Sequence, residues 1–264
     1  MVLDARVALI MPSSQIDTSR RAIEYAQRWD SPFVWAAVGL HPIHLEDMTV
    51  DSDEVGEHQT FRTRAEVFDR SVYESLLSSK KVVAIGEVGL DYWRKPKSKA
   101  KRAEYTERQK QTFREQLDLA LDYNLPVILH CRTAHDDLID VVKNHEHHKK
   151  VNPPGVAHCY TGNTEQMHAL FEMGLAIGVN GLVFKLDLVE HAVRNAPLDK
   201  ILLETDAPYL SPPDAPVRNE PMYIPSIAQK IADIKGVSLE EVEHTTTQNT
   251  LNIFKIPTQE YGKV

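Results

Sequence analysis

Apolar residues fall along this chain in short unbroken runs, separated by polar stretches with helical spacing. The runs lie at 7–13 (VALIMPS), 33–39, 82–86, 126–130, 155–158, 175–179 and 200–204. Apolar and polar positions do not alternate within them, so each predicts a strand buried on both faces. Between the runs, the spacing predicts helices over 18–30, 65–77, 105–123, 136–143, 164–173 and 186–196, and two more over 227–234 and 238–254. The acidic, poorly periodic stretch 46–66 predicts a long loop or insertion, 93–102 a basic loop, 208–225 a proline-rich loop, and 257 onward a loose tail. Strands alternating with helices through short connections predict a parallel sheet covered by helices. No shift in composition divides 1–264 into separate domains.

Four of the predicted strands end on a group that can bind a metal. VVAIGEVGLDY delivers Glu87, VILHCR delivers His130, GVAHCY delivers His158 and ILLETDAPY delivers Asp206. Gly86 and Gly89 flank Glu87 and predict turns or a close backbone approach. Seven strands are one short of an eight-stranded barrel. A barrel nevertheless brings every strand end to one mouth, whereas a doubly wound sheet spreads them along an edge. The predicted fold is therefore an α/β TIM-type (β/α)8 barrel, incomplete by one strand, forming a single domain over 1–264.

Two histidines with two carboxylates suit Zn²⁺, Mn²⁺ or Mg²⁺. They fit a hydrolytic site better than a structural one, which would use cysteine and be closed. Such a metal lowers the pKa of water and neutralises a developing oxyanion. Glu87 is the candidate to bridge two metals, and Asp206 the candidate to bind a metal or act as general base. Glu204, two residues earlier, would hold a ligand or a loop amide. Each residue also has a plainer reading, because a strand-end histidine is often a hydrogen-bonded core residue. His41 in GLHPIH is as readily a loop histidine beside a proline as part of the mouth. Residues 145–148 (HEHH) follow a helix and precede two lysines, which reads as a solvated loop. The basic run 94–102 could meet phosphate or simply lead into a helix. Arg132, close behind His130, is the better phosphate clamp.

Composition narrows the setting. At 42% hydrophobic and 26% charged residues, the chain is ordinary for a globular protein. A formal net charge of -8 argues against a protein that coats nucleic acid. It leaves room for an enzyme that holds one phosphodiester through metal and a few arginines. No apolar run approaches the roughly 18 residues of a membrane span, and the opening residues, which lead into a strand-like VALIM, carry the expectation of no signal peptide. Cys131 and Cys159 are too few for a disulfide framework. A reducing cytoplasm, free thiols and no membrane partner are expected.

The ordered motifs GLHPIH, GEVGLDY, LPVILHCR, HCYTG, LLETDAPYLSP and RNEP resemble the TatD family of metal-dependent deoxyribonucleases, over about residues 7–254. The resemblance implies an amidohydrolase-like barrel and a divalent-metal nuclease, typically a 3′-to-5′ exonuclease on DNA. It implies Glu87, His130, His158 and Asp206 as metal and catalytic residues, with up to two ions. His41, Arg132, Tyr160 and Arg218 would face substrate, and Asn219 and Glu220 would shape the site from a loop. Members usually open with a strand ending in His-x-His. Nothing like it precedes residue 7, and the one His-x-His here is at 145–147. The expectation is a missing first strand, through truncation, natural variation or replacement by a partner. It carries with it a weakened metal site and open strand edges, in a monomer or weak dimer. The ligand set by itself also admits an ester or amide hydrolase of the same superfamily, as on aminoacyl-tRNA, or a non-catalytic remnant that binds nucleic acid or a partner.

Overall fold

The computed structural model describes residues 7–29, 31–52, 59–145, 154–215 and 218–257. The chain forms two compact units, one over Leu9–Val50 and Phe61–Gly155, the other mainly over Val156–Val264. All seven predicted strands are present, although the first, Leu9–Met11, is half-buried and not buried on both faces as expected.

The first unit carries β1 (Leu9–Met11), α1 (Ile16–Arg28), β2 (Val34–Val38), α2 (Arg70–Leu76), β5 (Val82–Asp91), α3 (Lys99–Asp122), β6 (Val127–Arg132) and α4 (His135–Asn144). Its sheet runs in the order β1-β2-β5-β6, and every neighbouring pair is parallel. Every residue of β2 is buried, and so is every residue of β5 except Glu87. That burial explains the unbroken apolar runs, since a strand covered on both faces has no solvent side for polar residues. Full burial of each Val, Ile or Leu contributes about 1.5–3 kcal/mol. A strand that keeps two carboxylates amid that burial, the half-buried Glu87 and the buried Asp91, does so against the hydrophobic driving force.

Helix α3 does more than cover the sheet. Its buried face includes Phe113, Leu117 and Ala120, together with two glutamines, Gln109 and Gln116. Seven residues is two helical turns, so both amides lie on one face. Gln116 accepts the Leu40 N–H (2.7 Å) and donates to the Leu40 carbonyl (3.0 Å). Gln109 does the same to Asp91, at 2.8 and 3.0 Å. Each buried amide thus closes both backbone groups of a residue at the end of a strand, where the sheet no longer satisfies them.

The second unit carries β7 (Gly155–Ala157), α5 (Thr164–Glu172), β8 (Leu175–Val179), α6 (Asp187–Asn195), β9 (Ile201–Leu203), α7 (Ile224–Lys235) and α8 (Leu239–Ile253). The strand order is β7-β8-β9, and β8 and β9 pair in parallel, with Ile177 opposite Ile201. Asn249 of α8 donates to the carbonyls of Leu198 and Ile201, both at 2.9 Å, and so anchors the start of β9.

Several expectations are corrected. The stretch 46–66 holds two short strands, β3 (Thr49–Ser52) and β4 (Gln59–Arg62). Their polar composition hides them, but Val50 is buried and the Met48 N–H reaches the Thr63 hydroxyl at 2.9 Å. The helix expected over 65–77 starts only at Arg70, after Asp69 caps the Ser71 amide (3.0 Å); Ala65 sits at φ 50° outside it. The basic loop is shorter than expected because α3 already begins at Lys99. His145 is buried rather than solvated, with its Nε2 3.1 Å from Asp118. Residues 146–148 and 258–264 lie outside the described residues.

His44, the second histidine of GLHPIH, is buried, and among the described residues nothing hydrogen-bonds its Nδ1. Burial first, and then the nearby Arg64 charge, lower its pKa from 6.5 to about 4. The unfolded chain therefore binds this proton more tightly than the folded one does. The associated stability is complete above about pH 6.5 and is lost as pH falls toward 4, on the order of 3 kcal/mol. Thermal unfolding followed between pH 7 and pH 4 should show a steeper loss for the wild type than for His44→Phe. Parallel curves would remove His44 as a cause.

Candidate metal centre

Strand β5 does not turn at Gly86 and Gly89 as expected; it runs straight through to Asp91. What changes is its register. Gly86 pairs with Ile128 and Val88 with Leu129, so the register shifts by one residue at Glu87. Bulges of this kind re-aim side chains and recur beside active sites. Ser13, just past β1, fixes the bulge from the other side: its carbonyl accepts the Glu87 N–H at 2.8 Å and its N–H reaches the Gly86 carbonyl at 3.3 Å. The glycines serve close approach. A Cβ at 86 would lie 2.6 Å from the Ile128 Cβ, and one at 89, where φ is +145°, would lie 2.1 Å from the His130 carbonyl oxygen.

The bulge brings Glu87 to His41 and His130. One potential ligand atom from each of these three residues lies within 4.8 Å of the others. The His41 and His130 rings meet edge-on at 4.1 Å, and His41 Nε2 is 3.6 Å from the Glu87 carboxylate. The two histidines differ in what they can do. His41 Nδ1 accepts the Ile43 N–H at 3.1 Å. A neutral imidazole with that lone pair engaged carries its proton on Nε2, so His41 presents a donor toward Glu87 and not a metal ligand. His130 Nε2 instead faces the buried Asp91 carboxylate at 3.4 Å. Its proton belongs there, which leaves Nδ1 with a lone pair. This carboxylate–histidine pairing is the arrangement that orients metal-binding histidines. Burial alone would push the Asp91 carboxyl up, but the bond and charge of His130 and the Trp93 N–H outweigh it and hold it below its ordinary value.

Asp91 was not singled out from sequence; its signal was its place in GLDY, two residues past Gly89. Arg132, two residues beyond His130, lays its guanidinium over the Trp93 ring at 4.7 Å from the centroid. Cys131 is buried, which pushes its thiol up to about 12. It therefore stays protonated at neutral pH and is inert.

In the second unit, His158 and Asp206 present ligand atoms within 4.8 Å of each other. Glu204 accepts the Cys159 N–H (2.6 Å) and the Asn180 amide (3.1 Å), and lies 3.9 Å from His158 Nδ1. Of the two roles the sequence leaves open for it, a ligand or a loop amide, the contact present here is to the loop amide of Cys159. Asn219 is buried and donates to the carbonyls of Thr205 and Tyr209, both at 2.6 Å, on either side of Asp206. Tyr160 is buried, and its hydroxyl donates to the Asn163 carbonyl at 2.6 Å, which fixes the turn before α5. Arg218 is exposed, and Glu220 is half-buried, its carbonyl accepting the Tyr223 N–H at 3.0 Å. Thr133, Cys159 and Asp206, each just past a strand, have φ of 55°, 48° and 58°. Non-glycine residues in this region cost energy and persist where their surroundings hold them, often at active sites.

Both units thus supply mixed imidazole and carboxylate donors with fixed orientation. In each unit the donors named are of the kind that suits a divalent zinc, manganese or magnesium ion, and they include none of the thiolates of a closed structural site. The family profile described as TatD related DNase matches residues 4–255.

The chain belongs to the TatD family. It is 36% identical over 244 residues to the uncharacterized metal-dependent hydrolase YabD of Bacillus subtilis, covering 90% of this chain and 84% of that protein. It is 33% identical over 259 residues to the 3′-5′ ssDNA/RNA exonuclease TatD of Yersinia pseudotuberculosis, covering 95% and 88%. Among solved structures, the TatD homologue YJJV of Escherichia coli K12 superposes with a TM-score of 0.76 at 28% identity, over 95% of this chain and 87% of that one. The fold is that of the TIM-type TatD barrels, and the chain is a member of a family of metal-dependent hydrolases. Among the described residues, no helix is long and apolar enough to cross a membrane.

Two variants test this geometry. Asp91→Asn keeps the size of the group and removes its charge. Mn²⁺ binding measured by titration calorimetry should weaken by about 10–100-fold, and an unchanged Kd would show that Asp91 does not tune His130. Glu204→Ala leaves the Cys159 amide and the Asn180 side chain without their acceptor, at about 1–3 kcal/mol. The melting temperature should fall by several degrees; an unaltered melt would mean that the 158–160 loop is held by other contacts.

Proposed function

We propose that this chain is a divalent-metal-dependent 3′-to-5′ exonuclease acting on DNA. The observation that carries the reading is the bulge that sets Glu87 beside His130, with His130 oriented by Asp91, in a chain of this family. The Yersinia relative named as a 3′-5′ ssDNA/RNA exonuclease, aligned over 95% of the chain, supports the substrate class.

In this reading Glu87, His130, His158 and Asp206 would hold Mg²⁺, Mn²⁺ or Zn²⁺, up to two ions in all. The bound metal supplies charge neutralisation at the scissile phosphate and lowers the pKa of water. The chain's own groups do the rest. Asp206 accepts the proton of the attacking water. His41 Nε2–H would donate to Glu87 or to a phosphate oxygen, and Arg132 and Arg218 would engage the phosphate chain. Glu204 and Asn219 keep the loops bearing His158 and Asp206 in place.

The test is digestion of a 3′-labelled and a 5′-labelled single-stranded oligonucleotide with Mg²⁺, Mn²⁺, Zn²⁺ or EDTA. The 5′-labelled strand should shorten stepwise in a metal-dependent manner, and Glu87→Ala should lower the rate about 100-fold or more. A folded wild-type protein that leaves the strand intact with every metal sinks the reading.

A further inference from the structure

The loop that follows the Glu87 strand is aromatic as well as basic. Trp93 leaves 59% of its side chain exposed, although it begins only two residues after the buried Asp91. The Arg132 guanidinium covers one face of its ring at 4.7 Å. Beside it, the Lys95 ammonium lies 5.1 Å from the centre of the Tyr92 ring. Tyr92 is itself fixed, its hydroxyl donating to Asp137 at 2.7 Å. Arg94, Lys97, Lys99, Lys101 and Arg102 follow in the next few positions, in a chain whose net charge is -8.

The loop is tied to the candidate metal centre through one carboxylate. Asp91 Oδ1 accepts the Trp93 backbone N–H at 2.9 Å, while Oδ2 faces His130 Nε2 at 3.4 Å. Asp91 and Arg132 are also direct register partners on β5 and β6. An exposed indole keeps a broad apolar face available for a ligand to cover. Cation–π stacking under Arg132 orders the ring in advance without using its whole surface.

We propose that Trp93, held under Arg132, is a stacking platform for an unpaired nucleobase of the strand being digested, with Arg132 and Lys95 meeting its phosphates. This rests on the exonuclease reading above. An indole face and flanking cations together match the two parts of a nucleotide, its base and its phosphate. A base in a duplex has both faces covered by its neighbours, so the platform selects single strands or frayed ends. Stacking does not discriminate among the four bases, so it confers little sequence preference.

The experiment is anisotropy titration of fluorescein-labelled oligo(dT) in EDTA, where the strand is not consumed, followed by digestion kinetics with metal. Trp93→Ala should raise Kd and KM about 10-fold or more, with kcat changed far less and the melting temperature unaltered; Trp93→Phe should recover most of the affinity. A strand whose 3′-terminal nucleotides are abasic should bind the wild type about as weakly as the intact strand binds Trp93→Ala, and Trp93→Ala should not distinguish the two strands. If the wild type binds and digests the strand while Trp93→Ala matches it in Kd and KM, the platform is overturned and the exonuclease reading stands. If the wild type binds neither strand and digests neither, both are overturned.

Discussion

Strand β5 can lie against β6 only because positions 86 and 89 carry no side chain. Ile128 and the His130 carbonyl occupy the space that a Cβ would need. That close approach has a consequence in register: the two strands fall out of step by one residue, and the odd residue is Glu87. In an otherwise buried strand, the bulge is what turns one carboxylate out of the core and toward His41 and His130. The position of the acid is a property of backbone packing, and the chemistry inherits it.

Strand ends are where a sheet stops satisfying its own backbone, and this chain closes them with side chains. Gln116 and Gln109 each hold both backbone groups of one residue, Leu40 before His41 and Asp91 beside His130. Glu204 and Asn219 do comparable work around His158 and Asp206. These bonds offset the strained φ angles at Cys159 and Asp206 and keep the candidate donors from wandering. The same hydrogen bonds that stabilise the loops therefore set the geometry available to a ligand.

The histidines show how little a residue type says about its role until its second nitrogen is located. His41 engages Nδ1 with a backbone amide and becomes a donor. His130 turns Nε2 to a carboxylate and keeps a lone pair. His44, three residues from His41, is buried, and among the described residues nothing hydrogen-bonds its Nδ1, so it stays neutral at neutral pH. His145 pairs with Asp118 behind α4.

The sequence by itself determined the seven strands: burial on both faces leaves the uninterrupted apolar signature of β2 and β8, and the half-buried β1 carries an apolar run as well. It also determined which residue types stand at the strand ends, and the ordered motifs carried the family. Boundaries at β3, β4 and the starts of α2 and α3 were not legible, since polar strands and charged helix starts look alike in composition. Tertiary structure alone decided the bulge at Glu87, the roles of Asp91, Ser13, Gln109 and Gln116, the stacking of Arg132 on Trp93, and the burial of Tyr160 and His145. Each of those depends on which residues distant in the chain become neighbours. Periodicity reports how a residue faces its own strand or helix, but a hydrogen bond or a tautomer depends on what packs against it.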